Sequence, residues 1–159
     1  MKHAAVKNSL PFAFALVFLL LSATAPAAPR AASSIPKADL IQPADLAANL
    51  KSASGPKPLL LHVGFHILYT QAHIPGSEFV GPASDEAGLK LLQNRVAKLP
   101  RNTSIVIYCG CCPWGDCPNI AAAYDALHAL GFKQVKALYI ADNFGTDWID
   151  KGYPVAKGG

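Results

Sequence analysis

Ser104-Ile105-Val106-Ile107-Tyr108-Cys109-Gly110-Cys111-Cys112-Pro113-Trp114-Gly115-Asp116-Cys117 is the stretch on which the fold of this chain turns. Its first five residues form a continuous apolar run of strand length, the pattern of a strand covered on both faces. That run passes directly into a loop holding Cys109, Cys111, Cys112 and Cys117, all 4 cysteines of the chain. Thiols this close together cannot staple distant segments as a small disulfide scaffold would, so they constitute a site.

Working outward, Leu59–Val63 is a second buried-strand pattern and Val135–Ile140 a third. Helical patterns lie between and around them. Pro43 opens one with Leu46 and Leu50 on a single face, before the turn Ser54-Gly55-Pro56. Ser84 is placed to cap a second, with Asp85 and Glu86 in its first turn and Leu89, Leu92, Val96 and Leu99 on its apolar side. A third runs from Cys117 or Pro118 to Leu130, with Asp116 as its cap and Gly131 as its stop, and Thr146–Lys151 closes the series before Gly152. Strands alternating with helices predict an α/β fold, a mostly parallel sheet flanked by helices on both faces. Sites in that architecture gather at the carboxyl ends of strands, where the cysteines lie.

The chain has 159 residues, 52% hydrophobic and 15% charged, which fits one ordinary domain and excludes a disordered chain. Its formal charge is +4, but Lys2 and Lys7 belong to a leader, and no run or helix face concentrates the remaining Lys and Arg. A nucleic-acid surface is therefore not expected. Residues 1–27 read as a secretory signal peptide: Lys2, His3 and Lys7, the uncharged run Leu10–Leu21, then small residues with cleavage after Ala27. The expected product is periplasmic or secreted, with no stable membrane anchor after cleavage. Residues 28–39, rich in Ala, Pro and Ser, read as a flexible linker ahead of a domain spanning 40–157.

Four segments then occur in a telling order. They are Leu60-Leu61-His62-Val63-Gly64 with Tyr69 and His73-Ile74-Pro75-Gly76; Ile105-Val106-Ile107-Tyr108-Cys109; the helix leaving through Gly131-Phe132-Lys133-Gln134-Val135; and Trp148 with Lys151-Gly152-Tyr153-Pro154-Val155. Together they make the segment Leu40–Val155 resemble a single-domain rhodanese-like (sulfurtransferase) protein. The resemblance implies a rhodanese-like fold, a short helix after the first buried strand, and Cys109 in the place of the family's catalytic cysteine. It also implies sulfur transfer from a sulfane-sulfur donor to a thiol, a protein thiol included, or other acceptor, with no cofactor. The chain departs from the family where chemistry is done. His62 and Gly64 stand where common rhodaneses carry Asp and Arg, and the enlarged loop lacks Lys and Arg but holds Asp116. A dianionic donor such as thiosulfate is not favoured by that charge pattern.

The residues support three kinds of chemistry. In the first, Cys109 at a strand end sits among converging loop amides near a helix N-terminus, which lowers a thiol pKa and suits a persulfide. In the second, Cys109 and Cys112 have C-x-x-C spacing and Cys117 offers another closure, so Cys112, Cys117 and Cys111 are resolving or disulfide candidates in a thiol–disulfide or persulfide redox protein. A Cys112–Cys117 disulfide bracing the loop is the structural alternative. The third is a noncatalytic metal- or sulfur-binding module, in which thiols with His62 and His66 suit Zn or Cu(I). There the adjacent Cys111 and Cys112 make awkward ligands for one tetrahedral ion, so no metal site is assigned. Gly110, Trp114, Asp116 and His66 are the substrate-pocket candidates, with His66 the better proton relay. His62 reads as a buried, hydrogen-bonded imidazole, His73 as part of a turn, and His128 as surface or packing.

Overall fold

The computed structural model describes Met1 and residues 31–159. The expected signal segment therefore falls, apart from Met1, outside the described residues. In chain order the elements are β1 (Leu40–Ile41), α1 (Pro43–Lys51), β2 (Leu59–His62), α2 (His66–Gln71), β3 (Glu78–Phe79), α3 (Glu86–Val96), β4 (Ile105–Tyr108), α4 (Pro118–Ala129) and β5 (Val135–Leu138). The strands form one sheet in the order β1-β5-β4-β2-β3, and every pairing is parallel.

Side chains alternate across the strands and sort into two cores. Leu61, Ile105, Ile107, Val135 and Ala137 face α3 and α4 through Leu92, Val96, Ile120, Ala123 and Leu127. Leu60, Val106, Tyr108 and Leu138 face α1 and the closing segment through Leu46, Ala47, Ile74 and Trp148. Both faces are covered, which is why the central strands read as unbroken apolar runs. The same alternation sends Cys109 toward α4, in the first of these cores.

Several boundaries differ from the sequence expectation for identifiable reasons. The stretch expected to be a linker is folded over residues 31–39: it forms 3-10 turns at Ala32–Ser34 and Lys37–Asp39. Ala32 and Ile35 are buried in the first core, and Asp39 accepts a 2.6 Å hydrogen bond from the Tyr124 hydroxyl. Two well-spaced apolar residues suffice to dock it, without any helical period to announce them. Helix α3 is capped by Asp85, whose Oδ1 accepts from the Gly88 amide at 2.7 Å, and not by Ser84. The Ser84 amide is committed instead to Asn119 Oδ1 at 3.0 Å. Cys117, not Asp116, is the N-cap residue of α4, because Asp116 lies in a 3-10 turn at Trp114–Asp116. The last helix is a five-residue π-helical turn, Gly145–Ile149, closed by the Asp150 amide on the Gly145 carbonyl. Among the described residues no helix is long and apolar enough to cross a membrane.

Two tyings hold the closing segment against the sheet's carboxyl edge. Tyr108 at the end of β4 accepts from the Ile74 amide at 3.1 Å and bonds Ser77 Oγ at 2.7 Å, fixing the His73-Ile74-Pro75-Gly76 turn. His73 and Ala156 exchange backbone hydrogen bonds, both 2.9 Å, which brings residues 155–157 back over that edge.

Candidate functional site

The four thiols cluster because β4 ends at Tyr108 and the chain must turn before α4. Gly110 makes the turn at φ +79°, and a Cβ there would come within 2.6 Å of Phe144 Cβ. Positive φ and close approach both require glycine. Gly64 meets a similar demand across the sheet: a Cβ at that position would lie 2.5 Å from Cys109 Sγ. The sulfur of Cys109 thus occupies space that any side chain at position 64 would take, a physical reading of why an Arg is missing there.

Cys109 is 2% exposed and Cys117 3%, while Cys111 and Cys112 are half-buried, and all four are free thiols. The Cys109 thiol donates to Cys111 Sγ at 3.1 Å, and the sulfurs of Cys111 and Cys112 are 3.2 Å apart. Asn119, on the first turn of α4 and buried, directs Nδ2 at Cys109 Sγ (3.6 Å) and Cys111 Sγ (3.8 Å). Its Oδ1 is held by the Ser84 amide, which fixes the amide so that its N–H side faces the sulfurs. Asn119 has no metal or nucleophile signature in sequence; its sole signal is its place two residues after Cys117.

The electrostatics follow from crowding sulfurs into one cluster. The Cys111 thiol is held down at about 2, first by the donating Cys109 thiol and then by Cys117, with Cys112 and Asn119 adding. The Cys109 thiol is pushed up to about 12, chiefly by Cys111, with burial in support. Burial raises Cys112, and the neighbouring Cys109 and Cys111 thiols raise Cys117. Once one sulfur carries the negative charge its neighbours stay protonated. The charge centres on Cys111, the half-buried sulfur with the most donors around it, and not on Cys109 as the sequence suggested.

Cys109, Gly110 and Cys111 open on a cavity of about 630 Å³, whose wall includes His62, Phe144, Ile149 and Lys157. The lining is mostly apolar, and Lys157 is the basic residue among those that line it. His62 is 2% exposed; its ring bonds the Cys109 backbone, Nδ1 has no partner among the described residues, and burial lowers its pKa to about 4, leaving it neutral near pH 7. The structure thus brings Cys109, Cys111, Gly110 and His62 together. It does not bring three of the pocket candidates there. His66 is exposed on α2 against Phe79, with ring centroids 4.6 Å apart. Trp114 packs on Tyr139 at 5.3 Å and donates its amide to the Ala141 carbonyl. Asp116 is exposed on the loop and is not part of the cavity wall. Lys157 was beyond sequence reasoning, because the His73–Ala156 pairing that delivers it has no local signature.

Fold and site define a parallel α/β domain with its thiols gathered at the carboxyl edge of the sheet. Comparison with solved structures shows that the fold is rhodanese-like, as the four sequence segments implied. The rhodanese-like domain of the Alr3790 protein from Anabaena sp. matches with a TM-score of 0.58 at 18% identity, covering 75% of this chain and 79% of that one. The BH2092 protein from Bacillus halodurans matches at 0.57 and 20% identity, covering 74% and 75%. A thiosulfate sulfurtransferase from Pseudomonas aeruginosa matches at 0.54 and 26% identity over 86% of this chain, which spans only 21% of that protein. No family model matches the sequence, and no curated protein matches it. In architecture, the chain is a rhodanese-like α/β domain.

Proposed function

We propose that this protein is an exported rhodanese-like sulfurtransferase that carries sulfur as a persulfide on Cys109. The observation that carries the reading is the Cys109 sulfur at the carboxyl end of β4, opening on the cavity beside Cys111 within a rhodanese-like fold. Cys109 reacts as its thiolate, formed when the proton it holds against the Cys111 sulfur at 3.1 Å is lost to solvent through the cavity. The Cys109 thiolate then attacks the outer sulfur of a sulfane donor; the donor's S–S bond breaks, its electron pair leaves with the donor fragment, and a Cys109 persulfide remains. An acceptor thiolate takes the outer sulfur and restores the Cys109 thiolate. Lys157 gives the mostly apolar cavity a cation for an anionic donor, a role the loop itself cannot fill. The periplasm or the exterior is the proposed setting, and a protein thiol the proposed acceptor.

A second reading, thiol–disulfide exchange, is favoured by the sulfur contacts, with Cys111, 3.1 Å away, as the partner of Cys109. One measurement separates the two. Intact mass of the reductant-free protein, before and after a sulfane donor, gains one sulfur in the wild type and none in Cys109→Ser if sulfur transfer is right. A loss of paired thiol hydrogens without sulfur gain supports exchange and removes the persulfide reading.

A further inference from the structure

Three of the four sulfurs form a closed group: the Sγ atoms of Cys109, Cys111 and Cys117 all lie within 4.8 Å of one another. Cys112 is 3.2 Å from Cys111 but is not a member of that group. The adjacent pair that makes the sequence spacing awkward is therefore divided, with Cys111 in the trio and Cys112 beside it. No imidazole or carboxylate belongs to the group among the described residues, so the donor set is uniformly soft. We propose that Cys109, Cys111 and Cys117 bind one Cu(I) ion as a trigonal thiolate site, a binding function separate from sulfur transfer.

Thiolate ligands select Cu(I) and Zn(II) among common ions. Structural Zn(II) is almost always four-coordinate and tetrahedral, whereas a filled-shell monovalent ion accepts three sulfurs in a plane. Metal–sulfur bonds of about 2.3 Å put the three sulfurs of a trigonal site about 4 Å apart. That separation lies within the span of the trio, and the ion opens the 3.1 Å contact between Cys109 and Cys111 on binding. The surroundings suit a negatively charged thiolate complex. Asn119 Nδ2 donates toward two of the three sulfurs while the Ser84 amide holds its other end, the kind of outer partner that orients metal ligands. Cys109 and Cys117 are buried, which shields the ion, and half-buried Cys111 faces the cavity as the point of entry. No electron is transferred: copper stays Cu(I), and each ligand sulfur that is still protonated releases its proton to solvent.

The test is anaerobic titration of the reduced chain with Cu(I) against a chromophoric Cu(I) chelator, with X-ray absorption on the loaded protein. The expected result is one ion per chain with three sulfur neighbours. Asn119→Ala weakens binding by about 10–100-fold, and Cys117→Ser and Cys111→Ser weaken it by more. Cys112→Ser still takes one ion with three sulfur neighbours, and circular dichroism verifies that each variant is folded. The proposal is overturned if the folded wild type yields all copper to the chelator, or if Cys112→Ser loses the ion as completely as Cys117→Ser. It is also overturned if Zn(II) displaces Cu(I) into a site of four sulfurs. None of these readouts uses a sulfane donor, so the result stands apart from the persulfide reading.

Discussion

The two segments that frame the cavity are built on opposite plans. Residues 143–157 fix their shape with hard, directional bonds. Trp148 is wholly buried, its Nε1 donates to the Pro154 carbonyl at 2.8 Å, and its ring lies between Phe144 and Tyr153. Asn143 Oδ1 takes the Thr146 amide, and Asp147 Oδ2 takes the Asp142 amide. Within residues 109–117 the Asp116 amide donates to the Pro113 carbonyl at 2.9 Å, but around Cys109 and Cys111 the side-chain contacts are between sulfurs, and Asn119 supplies the amide donor from outside the loop. One wall of the cavity holds still so that the other can change its bonding. Substitutions in the first should therefore cost stability, and those in the second chemistry.

The largest stability effect is expected from Trp148→Ala, which empties the centre of the closing segment and destabilises by about 3–5 kcal/mol in urea unfolding. If that variant unfolds normally, the rigid-frame account of the segment is wrong. Asn119→Ala removes the partner of the Ser84 amide and the donor to two sulfurs, costing about 1 kcal/mol. Its Cys111 alkylation profile shifts to higher pH, because a donor to the thiolate has gone; an unmoved profile would leave Asn119 a purely structural residue.

A third region serves as an electrostatic reference. Arg95 holds the Glu78 carboxyl below its usual value through a two-pronged hydrogen-bonded ion pair, one arm 2.7 Å, at the partly exposed edge strand. The folded pKa is depressed, so the stabilisation is present above the unfolded value of 4.5 and is lost as pH falls through the folded one. Glu78→Gln should cost under about 1 kcal/mol at pH 7, and the gap should close in acid. Smallest of all, Cys112→Ser should stay within about 0.5 kcal/mol of wild type, since the side chain is half-buried and outside the trio. A larger loss would mean that the loop carries the fold after all.

What the sequence made legible was whatever repeats at short range. Buried strands announce themselves as apolar runs, so Leu59–His62 and Ile105–Tyr108 stood out, and with them the parallel architecture and the place of Cys109. The two-residue strands Leu40–Ile41 and Glu78–Phe79 are too short for any period, and Ala32 and Ile35 dock without one. The site divides in the same way. Thiol spacing suggested Cys109 with Cys112, yet the positive φ of Gly110 turns Cys111 back onto Cys109. His62 was legible as a buried imidazole at the end of a buried strand, whereas Asn119 and Lys157 enter through a helix's first turn and a long-range bridge, neither of which is written in local composition.

The pairing of His73 with Ala156 makes the last few residues a working part of the cavity wall, since Val155 and Lys157 both line it. Carboxypeptidase trimming, or an affinity tag fused closely enough to peel this bridge away, would take Lys157 from the mouth without touching a thiol. On the proposed sulfur-transfer reading, a preparation handled that way would keep all four thiols while losing the cation at the mouth for an anionic donor.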